Sequence, residues 1–465
     1  MLVQCEEENV ELLAAIDGKR DIKEHLVAVM TALAIFSEAH PPLLTDHLYT
    51  ILPYLKGDNR LTSQQEAMIC LKATEILSST IVIDGVKLGT KSSEIAADLI
   101  NIALKFNLKS IDSAVACLSR LTAHHIRDPT AYLSLAEKCF NSIANIAKTS
   151  SEQSPRGQAK WQSISQQAGA NMQRCLVVLG RICEHSRKCS TTLYGTTAID
   201  RTKDLEYANM NIANIDRIQA PYMIGACYAA AKFGTIVKDV AVQGRAAQAL
   251  CGVFSGYPRL TLIAHESGLL ARLFSNEYQD QVHEKLLQSF KEMMKAEEER
   301  LEQGQALKQL QEAGVSVGKH VLGPGEADSD ATVAGFVLQQ HLPSLLKFMM
   351  HTSAIMRMTA LELLGTILRQ GMVCPLDVIS YLVAAQGDPD LDIRREALKI
   401  LQIEDEKHPS FVDNRLVDGV ELAFTLQINL SGNTNTNTNT NTTTNNNHIN
   451  SILPINQVNQ DQWTK

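Results

Sequence analysis

Few stretches of this sequence hold residue types at spacings that could do chemistry. Gly85 to Ser92 ends in Gly89-Thr90-Lys91-Ser92 and resembles a phosphate-binding loop, whose backbone amides cradle phosphate while a lysine reaches the outermost group. The spacing is wrong. That motif needs four residues between its glycines and the lysine directly after the second, and no run of β-branched residues long enough for a central strand precedes it. The stretch reads as a surface turn. Cys183-Glu184-His185 followed by Cys189 offers thiol and imidazole ligands for zinc. On a helix over 174–186, however, Cys183 and His185 point about 200° apart and cannot share one ion. Cys175 and Cys183 fall on the apolar side of Leu179, as buried structural thiols do, and the chain has no Cys-x-x-Cys pair. His124-His125 lacks a glutamate at helical spacing. Neither a Gly-x-Ser-x-Gly elbow nor a Gly-x-Gly-x-x-Gly loop occurs. The expectation is a protein that is not an enzyme, with no catalytic residue, cofactor or metal.

What remains is charge on helical faces. Arg357, Arg369, Arg394, Arg395 and Lys399 concentrate near the C-terminus, and Arg181, Arg187 and Lys188 lie near the middle. Two roles compete for them. Helical repeats use arginines to pair with a carboxylate of the adjacent repeat, and for the equivalent positions Arg357 and Arg394 the partner could be Asp390 or Asp392. Alternatively, the cations form a ridge that contacts phosphates or an acidic partner. Arg357, Arg369, Arg394, Arg395 and Lys399 are the candidate DNA- or partner-binding residues.

The elements that would carry these side chains are helices. Apolar residues make 45% of the 465-residue chain and aromatics 5%, with 25 glycines and 13 prolines. Glycine and proline together are about 8%, below the usual share of roughly 12%, which disfavours sandwiches, barrels and propellers. Apolar residues recur at helical period from about residue 10 to 430: Ile69, Ala73, Ile76 and Leu77, then Ile111, Ala114, Val115 and Leu118, then Leu176, Leu179 and Cys183. Turn chemistry separates the runs at His40-Pro41-Pro42, Gly57-Asp58-Asn59 and Asp128-Pro129-Thr130. A net charge of −8 argues against coating nucleic acid along the whole surface, though not against one basic groove. The start of the chain reads as no signal peptide, no stretch is long and apolar enough to span a membrane, and the scattered cysteines suggest a reducing, intracellular setting.

Met356-Arg357-Met358-Thr359-Ala360-Leu361-Glu362-Leu363-Leu364 matches Ile393-Arg394-Arg395-Glu396-Ala397-Leu398-Lys399-Ile400-Leu401 position by position, 37 residues on. A looser copy is Arg245-Ala246-Ala247-Gln248-Ala249-Leu250. This is the period of HEAT-type repeats. The predicted architecture is all-α: a curved HEAT-repeat α-solenoid with a disordered polar tail. Its parts are helical repeats over 1–148, an exposed loop over 149–169, central repeats over 170–312, a flexible insertion over 313–331, C-terminal repeats over 332–430, and an Asn/Thr-rich tail over 431–465.

An ordered series of short matches resembles the cohesin loaders, the Nipped-B-like or adherin family of sister-chromatid cohesion proteins. The strongest is Arg369-Gln370-Gly371-Met372-Val373-Cys374-Pro375, then Tyr381-Leu382-Val383-Ala384 and Asp388-Pro389. Upstream lie Gln243-Gly244-Arg245-Ala246, Tyr257-Pro258-Arg259-Leu260, Leu176 to His185, Leu52-Pro53-Tyr54-Leu55 and Pro41-Pro42-Leu43. The resemblance covers roughly residues 24–430 and implies a non-catalytic, hooked solenoid in the nucleus. Such a scaffold holds double-stranded DNA against the SMC ATPase heads of cohesin, touches the kleisin and promotes ATP hydrolysis. Family members are considerably longer, so the chain corresponds to a C-terminal portion, and the region that recruits a smaller helical-repeat subunit has no counterpart here. The competing reading is another HEAT scaffold, such as a nuclear transport receptor or coat adaptor.

Overall fold

The computed structural model describes residues 19–56, 63–152 except 84, 87 and 107, then 166–186, 202–216 with 218, 222–312 and 324–434. Successive elements alternate between two packed layers. One layer contains α1 (Lys19–Ala39), α2 (Ser63–Thr80), α4 (Leu108–Leu121), α6 (Gln166–Ser186), α9 (Val240–Gly256), α12 (Asp280–Glu312), α14 (Ala354–Arg369) and α16 (Leu391–Lys407), each packed on the one before it. The other contains short helical turns over 41–55, α3 (Lys91–Lys105), α5 (Thr130–Glu152), α7 (Thr202–Asn209) with α8 (Met223–Ile236), and α10 (Leu260–Glu266) with α11 (Leu269–Leu273). It continues with α13 (Pro324–Met349), α15 (Pro375–Ala385) and α17 (Pro409–Thr434). The molecule is an all-α solenoid of helical hairpins. One hydrophobic core runs between the layers from Met30 to Ile400, which is how stacked repeats bury faces that no hairpin could bury alone.

The repeated sequence copies fall in one layer, on α9, α14 and α16. Their equivalent positions are buried: Met356 with Ile393, and Ala360 with Ala397. The ends of these helices follow local chemistry. Gly371 has φ +67, and the Gly371 and Met372 amides return to the carbonyls of Leu368 and Ile367, closing α14 as a glycine C-cap does. The Asp239 carboxylate accepts from the Val242 amide and starts α9; Asp390 accepts from the Asp392 amide and starts α16.

Between α6 and α9 the backbones nearly touch. A Cβ on Gly180 would lie 2.8 Å from the Ala249 Cα, and one on Gly252 would lie 2.7 Å from the Gly180 carbonyl carbon. Gly256 likewise sits against the Cys183 carbonyl. This contact explains why small residues space themselves along α9.

Three expected boundaries shift. The helix before the 149–169 loop continues to Glu152, with Thr149 donating its hydroxyl to the Asn145 and Ile146 carbonyls of its own helix, and α6 already begins at Gln166. The 313–331 insertion is helical from Pro324 onward, since proline at a helix start forfeits no intrahelical bond. The C-terminal tail begins later than residue 431, as α17 runs through Thr434; the remaining tail lies outside the described residues. Among the described residues no helix is long and apolar enough to cross a membrane.

Candidate partner-binding surface

The candidate cations occupy different environments, and Arg357 is the most enclosed. It is 2% exposed on the first turn of α14. Its Nε lies 2.6 Å from the Asp388 Oδ2 and its Nη2 3.0 Å from the Oδ1, a bidentate pair with a carboxylate only 1% exposed. Its Nη1 donates to the His351 and Thr352 carbonyls at 2.8 and 2.9 Å, holding the turn between α13 and α14. Arg357 is one of the candidate DNA- or partner-binding residues, and its Nε, Nη1 and Nη2 are all bonded inside the fold. The partner is Asp388 rather than Asp390 or Asp392. Asp390 is held by its capping role, and Asp392 pairs with Arg395 at 3.5 Å on the same helix.

Arg394 repeats the theme one hairpin later. Its Nη1 donates to the Asp388 carbonyl at 2.6 Å and the Pro389 carbonyl at 3.2 Å, stitching the α15–α16 turn. Arg120 does the same for the Ser78 carbonyl at 2.6 Å, and Arg174 for the Phe106 carbonyl. Helix ends leave carbonyls without intrahelical donors, and this array supplies many of them with arginines from the neighbouring helix.

Arg369 lies at the seam between α12 and α14, with its Nε 3.1 Å from the Glu298 Oε1. Lys291 pairs with Glu362 across the same seam at 2.6 Å. Arg395 and Lys399 stand one turn apart on the outer face of α16, with side chains 65% and 68% exposed. Their carboxylate partners, Asp392 and Glu396, are three residues back on the same helix, a pairing weak enough to be exchanged for a phosphate. The structure thus brings Arg395 and Lys399 together, places Arg369 at a seam, and assigns Arg357 and Arg394 to holding turns.

Near the middle, Arg181 of α6 reaches the Asp112 Oδ1 at 3.3 Å and the Glu184 Oε2 at 2.5 Å. Burial works against its charge, but Glu184 and Asp112 outweigh that penalty and raise its pKa above the ordinary value. Arg187 and Lys188 lie outside the described residues. Cys183 faces α8, where burial and a hydrogen bond with Cys227 hold its thiol well above the usual range. His185, on the same helix, faces Asp112 at 3.5 Å instead. Burial also pushes Cys117 up to about 12. Among the described residues no three His, Cys, Asp or Glu side chains converge on a common point, and Cys189 lies outside them.

Two features escaped the sequence reading. The first is a histidine pair, His265 Nδ1 3.0 Å from His341 Nε2, set among Phe274 and Phe336 where α10 meets α13. Burial first, and His265 second, lower the pKa of His341. Burial also lowers His283, against the opposing pull of the Ser275 carbonyl. Both bind protons less readily in the fold than in the unfolded chain, so as pH falls through their unfolded value of about 6.5 the unfolded chain binds more protons and stability falls. The melting temperature should drop as pH falls through about 6.5, and His341→Phe should remove part of that slope. An unchanged slope in the variant would assign the acid sensitivity elsewhere. The second feature is the apolar outer face of α17, which shows no amphipathic contrast in the sequence.

The family described as Sister chromatid cohesion C-terminus matches residues 334–462, which begin inside α13 and take in α14 to α17. The human Nipped-B-like protein is 22% identical over 425 residues, covering 90% of this chain. The chain is similar to Nipped-B-like proteins along most of its length, and to the sister-chromatid cohesion family model over its C-terminal helices. The Nipped-B protein of Drosophila melanogaster is 20% identical over 410 residues and 86% of the chain, and the Nipped-B-like protein scc-2 of Caenorhabditis elegans is 20% identical over 433 residues and 89%. The chain spans 14% of the length of the human relative and 18% of that of the other two. The Arg357–Asp388 pair and the exposed cations of α16 all lie within its family-matched segment.

Proposed function

We propose that the chain is a non-enzymatic scaffold in loading cohesin onto chromatin in the nucleus. It holds double-stranded DNA against the SMC ATPase heads, contacts the kleisin, and promotes ATP hydrolysis by binding one state of the heads more tightly than another. The observation that supports this reading most is the family match at residues 334–462, lying on the stretch of the array whose outer face presents Arg395 and Lys399. A stack of hairpins offers a long continuous surface, and two cations one turn apart are spaced to meet adjacent phosphates. A smaller helical-repeat subunit would bind a part of the longer relatives that has no match in this chain.

The test is charge reversal restricted to the exposed pair. Arg395→Glu with Lys399→Glu should lower retention on duplex DNA plus SMC heads at least tenfold and flatten its salt dependence, with helicity unchanged by circular dichroism. Including Arg394 would confound the result, because its guanidinium holds the α15–α16 turn. Retention equal to that of the unaltered chain would remove α16 from the DNA-binding surface.

A further inference from the structure

Helix α17 is seated by one face and bare on the other. Gly419 packs directly on Val383 of α15, Leu426 is buried, and Gln427 bonds the Gly387 carbonyl. Beside that face Leu416, Val420, Phe424 and Ile428 recur every four residues, winding away from it along the helix, and with Val417 they are between 50% and 70% exposed. Five side chains so exposed present on the order of 500 Å² of apolar surface, at the upper end of what a monomer's largest patch reaches, and such patches are often functional.

We propose that the occupant is residues 449–455 of the same chain, Ile-Asn-Ser-Ile-Leu-Pro-Ile, returning across the Asn/Thr tract to cover this stripe. The reach is right. From the end of α17 at Thr434 back to Phe424 is about 15 Å of helix. A polar tract the length of residues 435–448, taken as coil, has a root-mean-square span of about 20 Å, close to the length at which a tether is most effective. The composition fits as well. Ile449, Ile452, Leu453 and Ile455 supply the apolar contacts, and residues 449–460 hold no carboxylate to oppose Asp413 and Glu421, which border the stripe. The family match continues through the tract to residue 462 and so includes residues 449–455. A second copy is the weaker occupant, because about 500 Å² per partner falls short of the roughly 800 Å² of a stable pair, whereas a tethered segment needs no such area.

The experiment places a photo-crosslinker on the stripe of the full chain, Phe424→p-benzoylphenylalanine, at a position too exposed to matter for folding. Irradiation should give an intramolecular crosslink that maps to residues 449–455 by mass spectrometry. Ile452→Asp with Leu453→Asp should reduce its yield at least fivefold and raise binding of an apolar dye several-fold. A crosslink to α17 of a second copy, with doubled mass, would overturn the proposal, as would an unchanged yield in the aspartate variant or no crosslink in the chain that circular dichroism shows to be folded.

Discussion

Replacing Arg357 with methionine is expected to destabilise the C-terminal hairpins by about 3–5 kcal/mol, the usual consequence of leaving one member of a buried ion pair uncompensated. The residue left behind is Asp388, 1% exposed, whose carboxylate would keep only the Asp390 amide at 2.9 Å. The His351 and Thr352 carbonyls would lose their donor at the same time. Asp388→Leu alone should be comparably costly, since it buries an unpaired guanidinium. The double variant should recover much of the loss, because two apolar side chains avoid the desolvation of both charges. Repeat arrays unfold from weak segments, so the reading should combine urea unfolding with hydrogen exchange over residues 354–407. A single variant within about 1 kcal/mol of the unaltered protein would show the pair to be incidental.

Gly252→Ala should have the second-largest effect, a loss of roughly 3 kcal/mol or more with the damage centred on α6 and α9. The added methyl would press on the Gly180 carbonyl, with the carbonyl carbon at 2.7 Å and the Cα at 3.0 Å. Both are backbone atoms and cannot rotate away as a side chain could. Relief requires the two helices to separate, which opens the packing around Leu176, Val253 and Phe254, all buried. Gly244→Ala is the matched control. It lies on the same helix, and its added Cβ meets only the Lys285 side chain, at 3.5 Å. Thermal unfolding of the two variants should therefore diverge clearly; equal melting temperatures would mean that the α6–α9 approach is not under steric constraint.

The helical architecture was legible because burial on one stripe writes a 3.6-residue period into the sequence, and the 37-residue copy identified helices that prove to share one layer. Layer alternation is written less directly, in the glycines of α9 that allow a neighbouring backbone to approach. The charged residues were harder. Asp388, Asp390 and Asp392 alternate within five residues, and nothing local tells which is drawn inward; the geometry of the α15–α16 turn decides it. Arg357 and Arg394 occupy equivalent sequence positions and both serve turns, yet only Arg357 meets a buried carboxylate. Gly323-Pro324-Gly325 suggests a break in the sequence, yet α13 starts at Pro324, because proline is also a favoured helix start. The stripe on α17 stayed hidden because that helix is apolar around most of its circumference, so periodicity alone cannot separate the face on Val383 from the face toward solvent.

The central claim is that this array joins DNA to the cohesin heads, and the most direct measurement is a salt-titrated retention assay with SMC heads, kleisin and duplex DNA, each alone and combined. The account predicts weak retention on each component, strong retention on heads plus DNA, and a steep loss as salt rises. Retention on the heads that is indifferent to DNA and to salt, from a chain that remains folded, would contradict it.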